Sequence, residues 1–301
     1  MVNSLLNICC STDNNYIQHC AVMLCSLFEN NKNNNFNIHI LINDLSEENK
    51  LILEELALRY NAKVLFYKVD SSKLIGCKYR KWRPLTEAAY FRILLSSIIP
   101  LDISKILYLD CDIVVNGEIS DLFNLEINNY PLAAVKDPYY VNEAHLNQLS
   151  LPYGSDYFNS GVMLINLDYW RINKSEKKLL EYAKRERVVY CHDQDALNYV
   201  FKNNWYRLHP KWNRPNTLSP NEIEFLDKKD KSEFKNNYKI IHYIDTPKPW
   251  ENIRFTPFIK LYKKYLNKTK IKFNATKTNN IFIKYLKVIK INIKLAYHSL
   301  F

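Results

Sequence analysis

The chain has 301 residues, 47% hydrophobic and 24% charged, with 4 glycines, 7 cysteines and a formal net charge of +11. That length supports one large domain or two small ones. With so few glycines, neither G-x-G-x-x-G nor G-x-x-x-x-G-K-S/T occurs, which excludes the usual dinucleotide and P-loop classes.

The charge is local. Residues 252–301 carry Arg254, eleven lysines and no acid, leaving 30 basic and 31 acidic side chains in the other 251 residues. A polyanionic partner would therefore meet the tail and not the body. The cysteines (9, 10, 20, 25, 77, 111 and 191) form no CxxC pair and no Cys/His zinc spacing. Residues Met1 to Leu6 lack a signal-like n-region, and no apolar run reaches the length of a membrane span. These features predict a reduced, cytosolic protein.

In chain order, Leu5 to Cys10 predicts a buried strand that runs into the polar turn Ser11-Thr12-Asp13-Asn14-Asn15. Ile17, Ala21, Leu24 and Phe28 recur at helical spacing. Phe36 to Ile42 predicts a second strand. Ser46 caps a helix whose first turn holds Glu47 and Glu48 and whose buried stripe is Ile52, Leu56 and Tyr60. Val64 to Tyr67 predicts a third strand. This strand–helix alternation opens an α/β sheet, which binds ligands at the carboxyl ends of its strands. A helix over Thr86 to Ser97 stops before Pro100. Strands follow at Lys105–Leu109, Pro131–Val135, Val162–Leu167 and Lys239–Tyr243, with helices at Lys177–Arg187 and Asp193–Phe201.

Four stretches carry candidate chemistry. In Ile106 to Val115, Asp110 and Asp112 interrupt an apolar segment. Buried carboxylates need a cation or donors, and two of them one residue apart at a strand end can share one divalent metal, which can also hold diphosphate oxygens. The plainer alternative is a strand-to-turn junction with Asp caps. Asn159 and Ser160, just before the strand that contains Val162, could hydrogen-bond sugar hydroxyls, or simply form a turn. In His192 to Leu197, Asp193 reads as a helix N-cap, with Gln194 beside it at the helix start. In Ile240 to Trp250, His242 at a strand end is a candidate third metal ligand, and Lys248 could pair with a phosphate.

Taken together, the stretches Ser11 to Tyr16, Ala89 to Arg92, Tyr108 to Asp112, Phe158 to Gly161, Asp193 to Asp195, and His242-Tyr243 with Lys248-Pro249-Trp250 resemble the family 8 retaining glycosyltransferases. That family includes bacterial lipooligosaccharide and lipopolysaccharide galactosyl- and glucosyltransferases and glycogenin. The resemblance implies an α/β, GT-A-type (Rossmann-like) nucleotide-binding domain with a mixed central sheet. It implies a UDP-sugar donor, transfer of galactose or glucose with retention, and manganese as the metal, with magnesium the alternative. It makes Asp110, Asp112 and His242 the metal ligands. Asp13 and Asn15 would contact uracil, with Tyr16 stacked on it. Ser11, Thr12 and Cys111 would approach the nucleoside, and Lys248 the diphosphate. Arg92, Asp137, Asn159, Ser160, Asp193 and Gln194 would surround the donor sugar, with Gln194 nearest the reacting face and Asp193 beside it. One departure is Ile244-Asp245, where the family often has glycine.

The resemblance covers residues 5 to about 250, so residues 1–251 are expected to form the catalytic domain and residues 252–301 a separate basic tail. Lys284, Lys287, Lys290 and Lys294 share one helical arc among apolar residues from Ile281 to Leu295. This predicts an amphipathic interfacial helix on an anionic membrane, although the alternation Ile289 to Lys294 also fits a strand. The expected partners are a UDP-hexose, a glycan or glycolipid acceptor such as lipopolysaccharide, and the inner face of the cytoplasmic membrane; no nucleic acid is expected. Two other classes compete. One is a nucleotidyltransferase acting on a sugar phosphate, which also uses paired Asp residues. The other is a nucleic-acid-binding protein using the basic tail.

Overall fold

The computed structural model describes residues 5–78, 87–137, 143–152, 154–185, 190–217, 237–244, 248–251, 256–271 and 288–293. The chain divides into two compact units. The first comprises Met1–Ile17, Asn33–Asp110 and Ser120–His209; the second comprises Gln18–Lys32, Cys111–Ile119 and Pro210–Phe301.

The first unit is built on a seven-stranded mixed sheet. Strands β1 (Leu5–Ser11), β2 (Asn35–Ile42), β3 (Lys63–Lys68) and β4 (Lys105–Leu109) run parallel in the order β3-β2-β1-β4. Next to β4 the direction reverses. β7 (Phe158–Asn166) is antiparallel to both β4 and β6 (Leu132–Lys136), and β8 (Tyr206–Arg207) closes the edge beside β6. The strands β4 and β7 are buried along nearly their whole length, as expected where both faces of a sheet are covered.

Most elements lie where the patterning placed them, with informative shifts. After helix α1 (Ile17–Asn30), helix α2 (Glu47–Leu58) starts at the expected cap, where Ser46 Oγ accepts from Asn49 N–H at 3.3 Å. Its buried residues are Leu53, Leu56 and Ala57, so the apolar stripe is rotated from the expected Ile52, Leu56 and Tyr60. Leu53, Leu56 and Ala57 satisfy the i, i+3, i+4 spacing more closely. The single helix expected before Pro100 is α3 (Ala88–Phe91) and α4 (Leu95–Ile98), separated by a 3-10 turn at Arg92–Leu94; Thr86 lies outside the described residues. Beyond α5 (Ser120–Phe123) and α6 (Glu143–Gln148), β7 begins at Phe158, so Asn159 and Ser160 lie within the strand and not before it. The helices α7 (Leu167–Ile172), α8 (Ser175–Ala183) and α9 (His192–Val200) complete the unit. Buried Trp170, Leu179, Leu197 and Phe201 share its core with Tyr108 and Met163 from the sheet.

The pairing of β6 with β7 is irregular. Ala134 faces Met163, but the next residue, Val135, faces Asn159. Residues 160–162 of β7 therefore leave the β6 ladder. Such bulges re-aim side chains and are frequent beside active sites.

The second unit has a three-stranded sheet in the order β5 (Ile113–Val115), β10 (Ile240–His242), β9 (Arg214–Pro215). Helix α10 (Ile259–Thr269) packs buried Tyr262 and Tyr265 in a core with Val22, Val114, Ile241 and Tyr243. Its other side exposes Lys260, Lys263, Lys264 and Lys268. Within the tail, residues 288–293 are helical, and of the four lysines expected on one arc only Lys290 is described. No helix of the described residues is long and apolar enough to cross a membrane.

Candidate active site

In the first unit, the carboxyl ends of β1, β4 and β6 and the amino end of the antiparallel β7 carry a polar cluster. Arg92, from the 3-10 turn, is buried at its centre. Its Nη2 lies 2.8 Å from Asp110 Oδ1 and its Nε 3.1 Å from Asp193 Oδ2. Its Nη1 donates to Ser160 O at 2.8 Å and to Ser160 Oγ at 3.3 Å, and its guanidinium lies over the Tyr108 ring. A buried guanidinium satisfied on every edge is held in one orientation. Burial works against its charge, but Asp110 and Asp193 outweigh burial and hold its pKa above the usual value.

Gln194 is fixed as firmly. Its Oε1 accepts from Ser160 N–H at 2.9 Å and from Ser160 Oγ at 3.3 Å. Its Nε2 donates to Asp137 Oδ2 at 3.1 Å, and Asn159 Nδ2 donates to the same oxygen at 3.1 Å. The bulge explains the first bond: Ser160 N–H has left the β6 ladder, and the Gln194 amide accepts it instead. Asp193 Oδ2 lies at the same 3.3 Å from Ser160 Oγ, so the single hydroxyl hydrogen has two alternative acceptors, Gln194 and Asp193. Asp193 was expected to be the N-cap of α9. The cap position belongs to Cys191, and Asp193 sits in the first turn, where a negative charge meets the positive end of the helix dipole. Burial pushes the Asp193 carboxyl up to about 6, against the pull of Arg92.

Two arms of this cluster were not legible in the sequence. Asn198, one turn beyond Gln194, accepts from Phe158 N–H at 2.8 Å and donates to Phe158 O and Gln194 O at 2.9 and 3.0 Å, tying α9 to β7. Asp195 binds His145 and Tyr157. Each is a polar residue in an apolar stretch, and nothing in the chain announces its partner.

The turn after β1 lies at the carboxyl end of the parallel strands. Ser11 Oγ accepts from Tyr108 Oη at 3.2 Å, and buried Thr12 donates its N–H to Leu41 O at 3.2 Å. Asp13 Oδ1 accepts from Asn15 N–H and Tyr16 N–H at 2.9 and 3.0 Å, so this carboxylate organises the turn that displays Asn15 and Tyr16. Tyr16 is 37% exposed, so part of its ring reaches the surface of the turn. Asn14, not singled out in the sequence, accepts from Ser46 N–H and Asn49 Nδ2 at 3.0 and 2.8 Å and so fixes the turn to α2.

The chain passes from the first unit to the second between Asp110 and Cys111. In the second unit, buried Cys111 precedes Asp112, whose Oδ1 lies 3.1 Å from His242 Nε2 and whose Oδ2 accepts from Lys248 Nζ at 2.7 Å. Lys248 Nζ also donates to the carbonyls of Tyr243 and Ile244. Burial alone would raise the Asp112 pKa; Lys248 and His242 outweigh it and hold the carboxyl well below its usual range. Behind them, Trp250 stacks on His19 with ring centroids 3.6 Å apart, and His19 Nδ1 lies 2.7 Å from Tyr262 Oη. Asp245 lies outside the described residues.

The donor chemistry fits a divalent cation. His242 Nδ1 lies 3.0 Å from Asn213 Oδ1, an acceptor, so Nδ1 carries a hydrogen. Nε2, the other ring nitrogen, is the one that meets Asp112 and is placed to ligate a cation there. A carboxylate and an imidazole side by side are ligands that divalent cations take. Asn213 is the functional neighbour the sequence gave no sign of.

Comparison with known proteins agrees. Residues 7–254 match the family Glycosyl transferase family 8. General stress protein A of Bacillus subtilis (strain 168) is 30% identical over 278 residues, covering 89% of this chain and 95% of that protein. The lipopolysaccharide 1,2-glucosyltransferase of Escherichia coli (strain K12) is 29% identical, covering 86% and 76%. The lipopolysaccharide 1,3-galactosyltransferase of Salmonella typhimurium is 28% identical, covering 82% and 73%. Among solved structures, the galactosyltransferase LgtC in complex with donor and acceptor sugar analogues superimposes with a TM-score of 0.77 at 22% identity, covering 92% of this chain and 99% of that one. The mixed sheet and this likeness give the GT-A fold. On the match over most of its length, this chain belongs to glycosyl transferase family 8.

Proposed function

We propose that this glycosyltransferase moves a hexose, galactose or glucose, from a UDP-sugar to a glycan acceptor with retention at the anomeric carbon, and that it needs a divalent metal, manganese or magnesium. The observation that carries the reading is the buried cluster in which Arg92 spans Asp110 and Asp193 while Ser160 and Asp137 orient Gln194. Such a set of fixed donors and acceptors at strand ends suits a polyhydroxylated ligand.

In this reading Asp110, Asp112 and His242 hold the metal. When bound, the metal neutralises charge on the diphosphate as UDP leaves. Ser11, Thr12, Asp13, Asn15, Tyr16 and Cys111 receive the nucleoside, with Tyr16 stacking on the uracil. Lys248 exchanges its carbonyl partners for the diphosphate. Arg92, Asp137, Asn159, Ser160, Asp193 and Gln194 hold the donor sugar.

Gln194 is held as a neutral amide, its oxygen accepting from Ser160, and an amide oxygen is a weak nucleophile. Retention then follows from attack on the face the leaving group departs from, with the leaving phosphate taking the acceptor proton and Gln194 steadying the developing charge. A glycosyl adduct trapped on any side chain of the wild-type protein would overturn this course.

Residues 1–251 act as the catalytic domain in this proposal. Residues 252–301, with the exposed lysines of α10, meet an anionic membrane surface on the cytoplasmic side. The named lipopolysaccharide relatives favour a lipopolysaccharide, lipooligosaccharide or other surface glycan as acceptor.

The test is UDP release from a panel of UDP-sugars with and without manganese, comparing wild type with the double variant Asp110→Ala and Asp112→Ala. Metal-dependent release from one sugar, lost in the variant, is expected. Pyrophosphate release from a nucleoside triphosphate with a sugar phosphate, and no UDP release, would favour a nucleotidyltransferase.

A further inference from the structure

Asp193 and Gln194 are aimed by the turn that leads into α9, and that turn is strained. His192 has φ +37, a left-handed value that costs a residue with a side chain of order 1–3 kcal/mol unless its surroundings over-determine it. The surroundings are specific. Asp195, wholly buried, accepts with Oδ2 from Tyr190 N–H at 3.2 Å and from Cys191 N–H at 3.1 Å, folding the turn back on the helix. Its Oδ1 lies 2.8 Å from His145 Nε2 and accepts from Tyr157 Oη at 3.0 Å.

His145 comes from α6 and is itself buried. Its ring lies between Tyr190, at 4.4 Å between centroids, and Tyr157, at 5.0 Å. It therefore grips the turn twice, by the Tyr190 ring tilted against it and through the carboxylate that binds the Tyr190 amide. A carboxylate has about four lone-pair sites, and all four directions here are taken by donors that belong to the turn, to α6 or to the strand entrance at Tyr157. Removing one donor leaves a buried charge short of a partner, and the Asp195 carboxylate is free to turn away from the two amides.

We propose that His145 and Tyr157 are positioning residues: through Asp195 they fix the turn at residues 190–192, and with it the direction in which Asp193 and Gln194 face the reacting sugar. The proposal rests on reading Asp193 and Gln194 as donor-sugar residues. Neither His145 nor Tyr157 touches substrate in this arrangement.

The experiment uses the full chain and the variants Tyr157→Phe, His145→Phe and His145→Gln; Tyr157→Phe removes one oxygen from a packed ring and so guards against a variant that fails to fold. Transfer kinetics, UDP affinity by calorimetry and amide hydrogen exchange are measured on each. Tyr157→Phe and His145→Phe are expected to lower kcat about tenfold to hundredfold, the size of effect that a misplaced catalytic geometry produces. Donor KM and UDP affinity should stay within about threefold, since the β1 turn is untouched. Exchange at the Tyr190 and Cys191 amides should rise about tenfold or more, with Ile8 and Ile40 unchanged. His145→Gln, which can return a donor to Asp195, should recover most of the rate.

A kcat within about twofold of wild type in both Phe variants would overturn the proposal, as would faster exchange throughout the sheet or equal losses for Gln and Phe at position 145. If wild type releases UDP from no UDP-sugar, it is the glycosyl-transfer reading that fails. The exchange arm then decides by itself whether His145 and Tyr157 hold the turn: unchanged exchange at Tyr190 and Cys191 refutes it.

Discussion

Replacing Arg92 by methionine keeps an unbranched apolar stem and removes the guanidinium and its charge, and the cost should depend on pH. Arg92 and Asp193 side chains are each 7% exposed, whereas Asp110 is 23% exposed and partly screened by water. At pH 8 wild-type Asp193, with its carboxyl pushed up to about 6, is ionised against Arg92. Without the guanidinium that acid takes up a proton once its pKa passes 8, so the loss through Asp193 is capped at about two pH units, or about 3 kcal/mol. The orphaned Ser160 carbonyl and Asp110 raise the total to about 3–5 kcal/mol, the usual range for breaking a buried pair. At pH 5 Asp193 is mostly protonated with or without Arg92, its contribution drops out, and about 1–2 kcal/mol should remain. The sign for the wild type follows from the same shift. A carboxyl raised from 3.8 to about 6 makes folding less favourable as pH rises through that window, because the folded state holds the proton longer. Urea denaturation of wild type and Arg92→Met at pH 5 and pH 8 measures both effects. A loss equal at the two pH values, or larger at pH 5, would refute the charge assignment.

Lys248→Met should weaken UDP binding by roughly tenfold to hundredfold, the loss of one charge-assisted hydrogen bond; unchanged affinity by calorimetry would remove Lys248 from the diphosphate. Ser46→Ala removes the cap of α2 and should cost about 1 kcal/mol in urea denaturation with kcat unaltered. A fall in kcat there would show that the order of the α2 N-terminus reaches the active site.

Much of the scaffold was legible because period and burial agree. The parallel strands β1 to β4 are apolar runs between polar turns, and Ser46 with Glu47 and Glu48 marks a helix start in the chain itself. Asp110 and Asp112 stood out because carboxylates interrupt a buried segment, and a feature so costly in isolation points to its own compensation. Asn159 and Ser160 were seen but misplaced. A bulge depends on the register of two strands, and β6 and β7 carry no local mark of where their pairing skips. Asp193 has the composition of a cap, yet the bonds from Asp195 to Tyr190 and Cys191 start the helix earlier. His145, Tyr157, Asn198 and Asn213 were silent, since each matters only through a partner distant in sequence.

Asp112 meets His242 and Lys248 only across 130 and 136 residues of chain. On a ribosome extending at about 5–20 residues per second, that carboxylate waits on the order of ten seconds for its partners. Every strand of the large sheet has been made by Arg207. A nascent chain halted between His209 and Lys239 would therefore hold the residues of the Arg92–Gln194 cluster while Asp112 still lacked both of those partners. If the proposed roles of Asp112, His242 and Lys248 hold, the order of synthesis places completion of the phosphate end last, and a chain that has made its whole large sheet stays inert until its final fifth is made.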